Sequence, residues 1–150
     1  MIRGEKMNQP ECIVEVMGIK AILRRPIRSM DDLETTVSTG LPKQALKNTV
    51  ARIFLNSDDV RRVMNEVVPS ATYKRRAKLL SPAESERTER MARIIAAAEF
   101  ALSSKAGARE WLTKPHPELR MRPPIDVAAT ELGARRVEDL LNRILFGIPS

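Results

Sequence analysis

Several residue types that metal, disulfide and aromatic sites require are scarce in this chain of 150 residues. A single cysteine, Cys12, and a single histidine, His116, exclude an internal disulfide and a zinc site built from such ligands. One Trp, one Tyr and three Phe are too few for a base-stacking RNA platform or an aromatic cage. The six glycines stand singly, so a glycine-rich phosphate loop is absent. We therefore expect no metal and no cofactor.

Long apolar runs are also missing, since no segment approaches the roughly 18 apolar residues of a membrane-spanning helix. The apolar stretch from Cys12 to Leu23 is interrupted by Glu15 and Lys20 and is followed by no small-residue cleavage site. With 43% hydrophobic and 30% charged residues, the composition is that of a soluble globular protein. We expect a cytoplasmic protein that has no membrane partner.

What the sequence does contain is helical periodicity, and alternation of β-branched residues is almost absent after Val16. Helix starts are marked by Ser29 with Asp32 and by Ser81-Pro82-Ala83-Glu84. The fold class is therefore predicted to be all-α. The predicted helices cover about residues 30–38, 42–55, 57–65, 70–77 and 81–102, a short segment around Trp111, a segment from Pro124 that Gly133 ends, and a last helix before Gly147.

Basic charge is concentrated in one segment of a chain that has 26 Lys and Arg against 19 Asp and Glu. Between residues 61 and 78, six basic side chains stand against Glu66 alone. This segment covers the two short predicted helices, with Ser57 and Ser70 as their expected N-caps, which favours a helix-turn-helix that binds DNA over a merely solvated face. The candidate DNA-binding residues are Ser70, Thr72, Tyr73, Lys74, Arg75, Arg76 and Lys78.

Catalytic groups are not brought together by any motif. His116 stands between two prolines with no nucleophile or orienting carboxylate beside it. Cys12, in an apolar stretch, is typical of a small buried hydrophobe, and Trp111 is typical of a core anchor or an interface residue. We predict no catalytic residue and no enzymatic activity.

Two C-terminal motifs carry a specific likeness to a known family. They are Trp111-Leu112-x-x-Pro115 and Gly133-Ala134-x-x-Val137-Glu138-x-Leu140-Leu141-x-Arg143-Ile144. Together with the upstream segments 40–42, 73–76 and 80–87, they resemble the Xre/MbcA/ParS antitoxins over roughly residues 16–150. The resemblance implies an Xre-like helix-turn-helix bundle, joined by a long helix to a small C-terminal toxin-binding domain. The implied division is an N-terminal arm (1–29), a helix-turn-helix domain (30–80), a connecting helix (81–103) and the toxin-binding domain (104–150).

The same resemblance implies the antitoxin of a type II toxin-antitoxin system, whose partner is a RES-domain toxin acting on NAD⁺. The C-terminal domain would cover the toxin and its tail would obstruct the active site. The N-terminal domain would support a homodimer, binding of duplex operator DNA and a higher-order complex with the toxin. The implied toxin-facing residues are Val137, Glu138, Leu141, Arg143, Leu145, Phe146, Gly147, Ile148, Pro149 and Ser150.

Three places depart from the family pattern, one of which is Leu102-Ser103, where relatives often have Phe-Gly after the long helix. Ala71-Thr72 stands where an arginine-threonine pair usually begins the recognition helix, so a base-reading arginine is missing there. Arg120 or Met121 replaces a usual glycine before the second proline pair. A free-standing helix-turn-helix repressor with residues 79–150 as its dimerisation domain is the alternative, and affinity for a co-encoded toxin distinguishes the two.

Overall fold

The computed structural model describes Met7 and residues 9–147 and contains no β-strand within them, which confirms the predicted all-α class for this part of the chain. A 3₁₀ turn, Pro117–Leu119, lies between the seventh and eighth helices. The helices are α1 (Pro10–Met17), α2 (Met30–Thr39), α3 (Gln44–Ile53), α4 (Ser57–Val67), α5 (Ser70–Arg75), α6 (Pro82–Leu102), α7 (Lys105–Thr113), α8 (Pro124–Val127) and α9 (Glu131–Leu145).

Helix α6 is the centre of the molecule and packs against α1, α2, α3, α7 and α9. Its start is the predicted capping box: the Ser81 hydroxyl accepts a hydrogen bond from the Glu84 amide (3.2 Å), and the Glu84 carboxylate accepts one from the Ser81 amide (2.8 Å). Ala92 and the run Ala96–Ala98 are buried, and their small side chains let neighbouring helices approach closely. The segment expected to connect two domains is therefore a core helix shared by both halves.

The N-terminal segment, expected to be an arm, contributes α1 to this core through Ile13, Val14 and Met17. The Asn48 side-chain amide of α3 donates to the Met17 carbonyl oxygen at 3.1 Å, which holds the end of α1. Arg52 joins α3 to α6 through two hydrogen bonds of 2.8 Å to the Glu99 carboxylate. Residues 10–17 are thus an integral part of the bundle.

Two predicted N-caps and one predicted helix start are wrong by one or two residues. Asn56, not Ser57, caps α4, because its side-chain oxygen accepts from the Asp58 and Asp59 amides (2.7 and 3.4 Å). Ser70 is the first residue of α5 and therefore not its N-cap, which is Pro69. The Ser70 amide donates to the Asn65 side-chain oxygen. The third is the start of α3, which begins at Gln44 because the backbone around Pro42 pairs with that around Leu79.

The prediction that Gly133 ends a helix is also wrong, since Gly133 lies in the first turn of α9. Its amide donates to the Thr130 hydroxyl at 3.0 Å, and Thr130 is the N-cap. A Cβ atom built on Gly133 would lie 1.7 Å from the Val127 carbonyl oxygen. Glycine is required here because the backbone at the end of α8 rests directly on the start of α9.

Gly133→Ala is expected to lower the free energy of unfolding by more than about 3 kcal/mol, because the added methyl group collides with backbone that cannot rotate away. Chemical denaturation followed by circular dichroism measures the change. Gly107→Ala in α7 is the matched control, since its Cβ would meet side-chain atoms alone, the nearest being those of Ser104 at 3.2 Å, and the helix gains propensity. Equal stabilities of the two variants would contradict the close approach.

Candidate nucleic-acid and protein interfaces

The basic residues predicted to bind DNA lie on and just after α5, which follows α4 after a two-residue connection. Val68 in this connection is buried, so the two helices are fixed relative to each other. The structure exposes four of the seven candidates and half-buries the other three. Exposed are Ser70, Lys74, Arg75 and Lys78; half-buried are Thr72, Tyr73 and Arg76.

Tyr73 attaches α5 to α3 through Lys43. The Tyr73 hydroxyl donates to the Lys43 carbonyl oxygen at 3.1 Å, and the Lys43 ammonium lies 4.4 Å from the centre of the tyrosine ring. The same ammonium donates to the carbonyl oxygens of Tyr73 (3.0 Å) and Arg76 (3.1 Å). Burial raises the pKa of Tyr73. Tyr73 therefore has a structural role that its place in a basic run did not reveal.

Arg76 is likewise engaged inside the protein, because its guanidinium donates to the Glu84 carboxylate at 2.9 Å. The pKa of Glu84 is lowered. Partial burial acts to raise it, but the hydrogen bonds from Arg76 and from the Ser81 amide outweigh this effect. This pair ties the end of α5 to the start of α6. Lys74, Arg75 and Lys78 remain the exposed cations among the candidates.

The predicted toxin-facing residues divide between the core and the surface of α9. Val137 and Leu141 are completely buried and Leu145 is nearly so, because they form the i, i+4, i+8 stripe that packs into the core. These three cannot touch a partner while α9 is packed. Phe146 and Gly147 are exposed and Glu138 and Arg143 half-buried, while Ile148, Pro149 and Ser150 lie outside the described residues.

The exposed face of α9 carries several side chains that were not predicted to face the toxin. Leu132 is 72% exposed and Ile144 is also exposed, while the predicted Phe146, which directly follows α9, is 51% exposed. Arg135, Arg136 and Asp139 lie between them along the helix and are exposed as well. Leu132 falls in the predicted helix that Gly133 ends. Its spacing of five residues from Val137 places it off the buried stripe, and this spacing is the sequence feature that could have indicated its exposure.

Glu138 fastens α9 to α6 as part of a cluster of charges around Arg93. The Arg93 guanidinium lies 3.1 Å from the Glu138 carboxylate, 3.4 Å from that of Glu131 and 3.7 Å from that of Glu89. Arg90 also pairs with Glu131 at 3.2 Å. Three carboxylates thus share two guanidinium groups at the junction of the two helices.

The pKa values of these carboxyl groups shift in opposite directions. Burial raises the pKa of Glu89 and of Glu138, against the attraction of Arg93. Burial also acts to raise the pKa of Glu131, but Arg93 and Arg90 outweigh it and the net pKa is lowered. One Glu89 oxygen is buried without a hydrogen-bond partner. Glu89 is therefore the weakly compensated charge of the cluster.

The loop between α7 and α8 is held against α9 by Glu118. Arg143 donates to the Glu118 carboxylate and Arg136 to its carbonyl oxygen, each at 3.3 Å. The His116 ring meets the Trp111 ring edge-on, with centres 5.8 Å apart, and its Nδ1 accepts from the Glu118 amide at 3.1 Å. His116 and Trp111 are thus used to shape this loop.

Neither a metal site nor a membrane span emerges from residues 9–147. No three of their His, Cys, Asp and Glu side chains are grouped so that they could hold a metal ion. No helix in that range is both long and apolar enough to cross a bilayer.

Glu89→Gln is expected to raise the free energy of unfolding at pH 7 by about 1 kcal/mol, because the amide removes a buried, poorly compensated charge. The wild-type carboxyl, with its raised pKa, stabilises the fold in its protonated form below the ordinary value of 4.5 and loses this contribution as the pH rises through the folded-state pKa. The advantage of the variant should therefore be small near pH 4 and full at pH 7, as measured by urea denaturation.

Glu131→Gln is the control with the opposite sign. Its lowered pKa means that the charged carboxylate stabilises the fold above pH 4.5 and that this contribution is lost as the pH falls through the folded-state pKa. Glu131→Gln should therefore be less stable than the wild type at pH 7. If Glu89→Gln were less stable than the wild type at pH 7, as expected for Glu131→Gln, Glu89 would not be the weakly compensated charge of the cluster.

Comparison with known proteins identifies both halves of this architecture. Residues 32–93 match the family model of the antitoxin Xre-like helix-turn-helix domain, and residues 97–147 match that of the antitoxin Xre/MbcA/ParS C-terminal toxin-binding domain. The protein named Antitoxin Xre from Pseudomonas putida strain KT2440 is 29% identical over 133 residues, which cover 86% of this chain and 81% of that protein. Both matched segments reach into α6, and the chain thus combines a segment similar to the Xre-like helix-turn-helix domain with one similar to the toxin-binding domain of Xre/MbcA/ParS antitoxins.

Proposed function

We propose that this chain is a cytoplasmic antitoxin that binds and neutralises a RES-domain toxin acting on NAD⁺. The C-terminal domain binds the toxin, and the tail formed by residues 147–150 obstructs the toxin's active site. The chemistry on NAD⁺ belongs to the toxin, and this chain contributes binding alone. The observation that carries the proposal is the exposed face of α9, within the segment that matches the toxin-binding domain.

This face has the composition of a protein interface rather than of a solvated helix surface. Leu132 and Phe146 are large, exposed and apolar, whereas the other apolar side chains along α9, apart from Ile144, are buried. Arg135 and Arg136 lie between them. Aromatic residues and arginines are enriched where protein interfaces carry most of their binding energy, so Phe146 is the expected anchor.

A second role, binding of operator DNA by a homodimer for autoregulation, is supported by the three exposed cations Lys74, Arg75 and Lys78. Phosphate contacts supply affinity without reading sequence. The absence of arginine at Ala71 limits direct base reading at the start of α5. The expected DNA complex therefore depends more on backbone contacts than on contacts with base edges.

Replacing Leu132 and Phe146 together by serine should weaken binding to the co-encoded toxin by about tenfold or more, with little change in stability because both side chains are exposed. Calorimetric titration and thermal unfolding measure the two effects. Leu55→Ser, which removes a 77% exposed leucine outside the C-terminal domain, is the control and should bind normally. Undiminished affinity of the double variant would exclude this face of α9 as the binding site.

Removing Lys74, Arg75 and Lys78 by alanine substitution should flatten the dependence of log affinity on log salt concentration by about one to three units, since each phosphate contact releases counterions. Fluorescence anisotropy with duplex operator DNA at several salt concentrations gives the slope. Arg76→Ala is the control: it should leave the slope unchanged and lower stability, because Arg76 pairs with Glu84. An unchanged slope in the triple variant would show that the exposed cations are only a solvated face.

A further inference from the structure

The loop between the 3₁₀ turn and α8 reverses in a very tight turn over Leu119–Arg122. The Arg122 amide donates to the Leu119 carbonyl oxygen at 3.1 Å, which closes the turn. The two central residues, Arg120 (φ +56°) and Met121 (φ +61°), are both in the left-handed region. Two successive positive φ angles define the type I′ turn, for which Asn-Gly is the preferred central pair.

Arginine and methionine are unfavourable in this conformation, because a Cβ atom in the left-handed region costs roughly 1 kcal/mol per residue. The turn persists because its surroundings fix it: the His116 amide donates to the Arg122 carbonyl oxygen and the Met121 amide to that of His116. Leu119 is buried, and Arg136 and Arg143 hold Glu118 on α9. The strain is therefore imposed by a rigid frame.

The side chains displayed on this turn are exposed, and its two arginines have no partner among the described residues. Arg120 and Arg122 are exposed, and neither guanidinium makes a hydrogen bond or ion pair with any residue that the structure describes. Met121 between them is 61% exposed. Strained backbone that displays unpartnered side chains is typical of a binding element.

We propose that Arg120, Met121 and Arg122 form a specificity-determining contact with the toxin, and this inference rests on the proposed function. Met121 enters an apolar recess of the toxin surface, and the two arginines pair with carboxylates at the rim of that recess. Methionine adapts its shape to an apolar pocket, and arginine pairs with carboxylates in fixed geometry. The three side chains therefore distinguish one toxin surface from another by its shape and its charge. A methionine between the cations fits a protein surface better than a phosphate backbone.

The turn offers a test in which stability and binding move in different directions. In the variant R120N/M121G the preferred Asn-Gly pair replaces the strained residues, so the turn is kept and the melting temperature should equal or exceed that of the wild type. Its affinity for the co-encoded toxin should fall tenfold or more. Arg122→Gln, which leaves the turn untouched, should lower the affinity severalfold, whereas Arg25→Gln, an exposed arginine near the N-terminus, is the control and should not.

Each outcome of these titrations decides one question. If the wild type binds the toxin tightly and the variants bind equally well, the role of the turn is overturned and the proposed function stands. If the wild type does not bind, the proposed function fails and the role of the turn fails with it. A lower melting temperature of R120N/M121G would show that the two side chains support the fold, and a loss confined to DNA affinity would assign them to nucleic acid; either result overturns the proposal.

Discussion

The close packing of helices around the alanine-rich part of α6 is the constraint on which the other features depend. Ala92 and Ala96–Ala98 have almost no exposed surface, so the helices on each side rest nearly on the α6 backbone. A helix of 21 residues spans about 30 Å, enough to reach from the helix-turn-helix to the C-terminal domain. Because one helix belongs to both matched domains, the two proposed binding surfaces keep a fixed geometry relative to each other.

Polar contacts at several points along α6 fix the neighbouring elements in place. The buried Ser85 hydroxyl accepts from the Leu41 amide at 2.8 Å and so anchors the segment before α3. Glu99 holds α3 through Arg52, while Arg93 holds α9 through Glu138. Such half-buried pairs contribute orientation more than stability, since their desolvation offsets much of their attraction. They help to position both proposed binding surfaces.

Charged residues thus divide into two groups that sequence reasoning does not separate. Arg76 and Glu138 belong to motifs that indicated DNA and toxin contact, yet each pairs with a carboxylate or guanidinium inside the protein. Lys74 and Arg75 stand in the same basic run and are exposed. Composition and spacing locate a basic segment, but only the tertiary packing decides which of its charges remain available to a partner.

Helix positions were predicted well where a local signal determines them. The Ser81 capping box and the α9 stripe are examples, because capping and periodicity are properties of a few neighbouring residues. Gly133 was misread because glycine serves both to end a helix and to admit close backbone contact, and the neighbour it meets, Val127, is brought there by folding. Likewise, the apolar stripe that contains Val137 and Leu141 has the same sequence pattern whether it packs into the core or binds a partner, so the sequence alone does not distinguish the two.

In the function proposed above, the C-terminal domain of this chain inactivates a toxin that acts on NAD⁺. The most direct measurement is the rate of NAD⁺ consumption by the co-encoded toxin as the full chain is titrated into it, compared with a chain that ends after Phe146. We expect the full chain to abolish NAD⁺ consumption at a fixed molar ratio, and the shortened chain to bind the toxin but leave substantial consumption. Undiminished consumption in the presence of a saturating, folded full chain would contradict the proposed function.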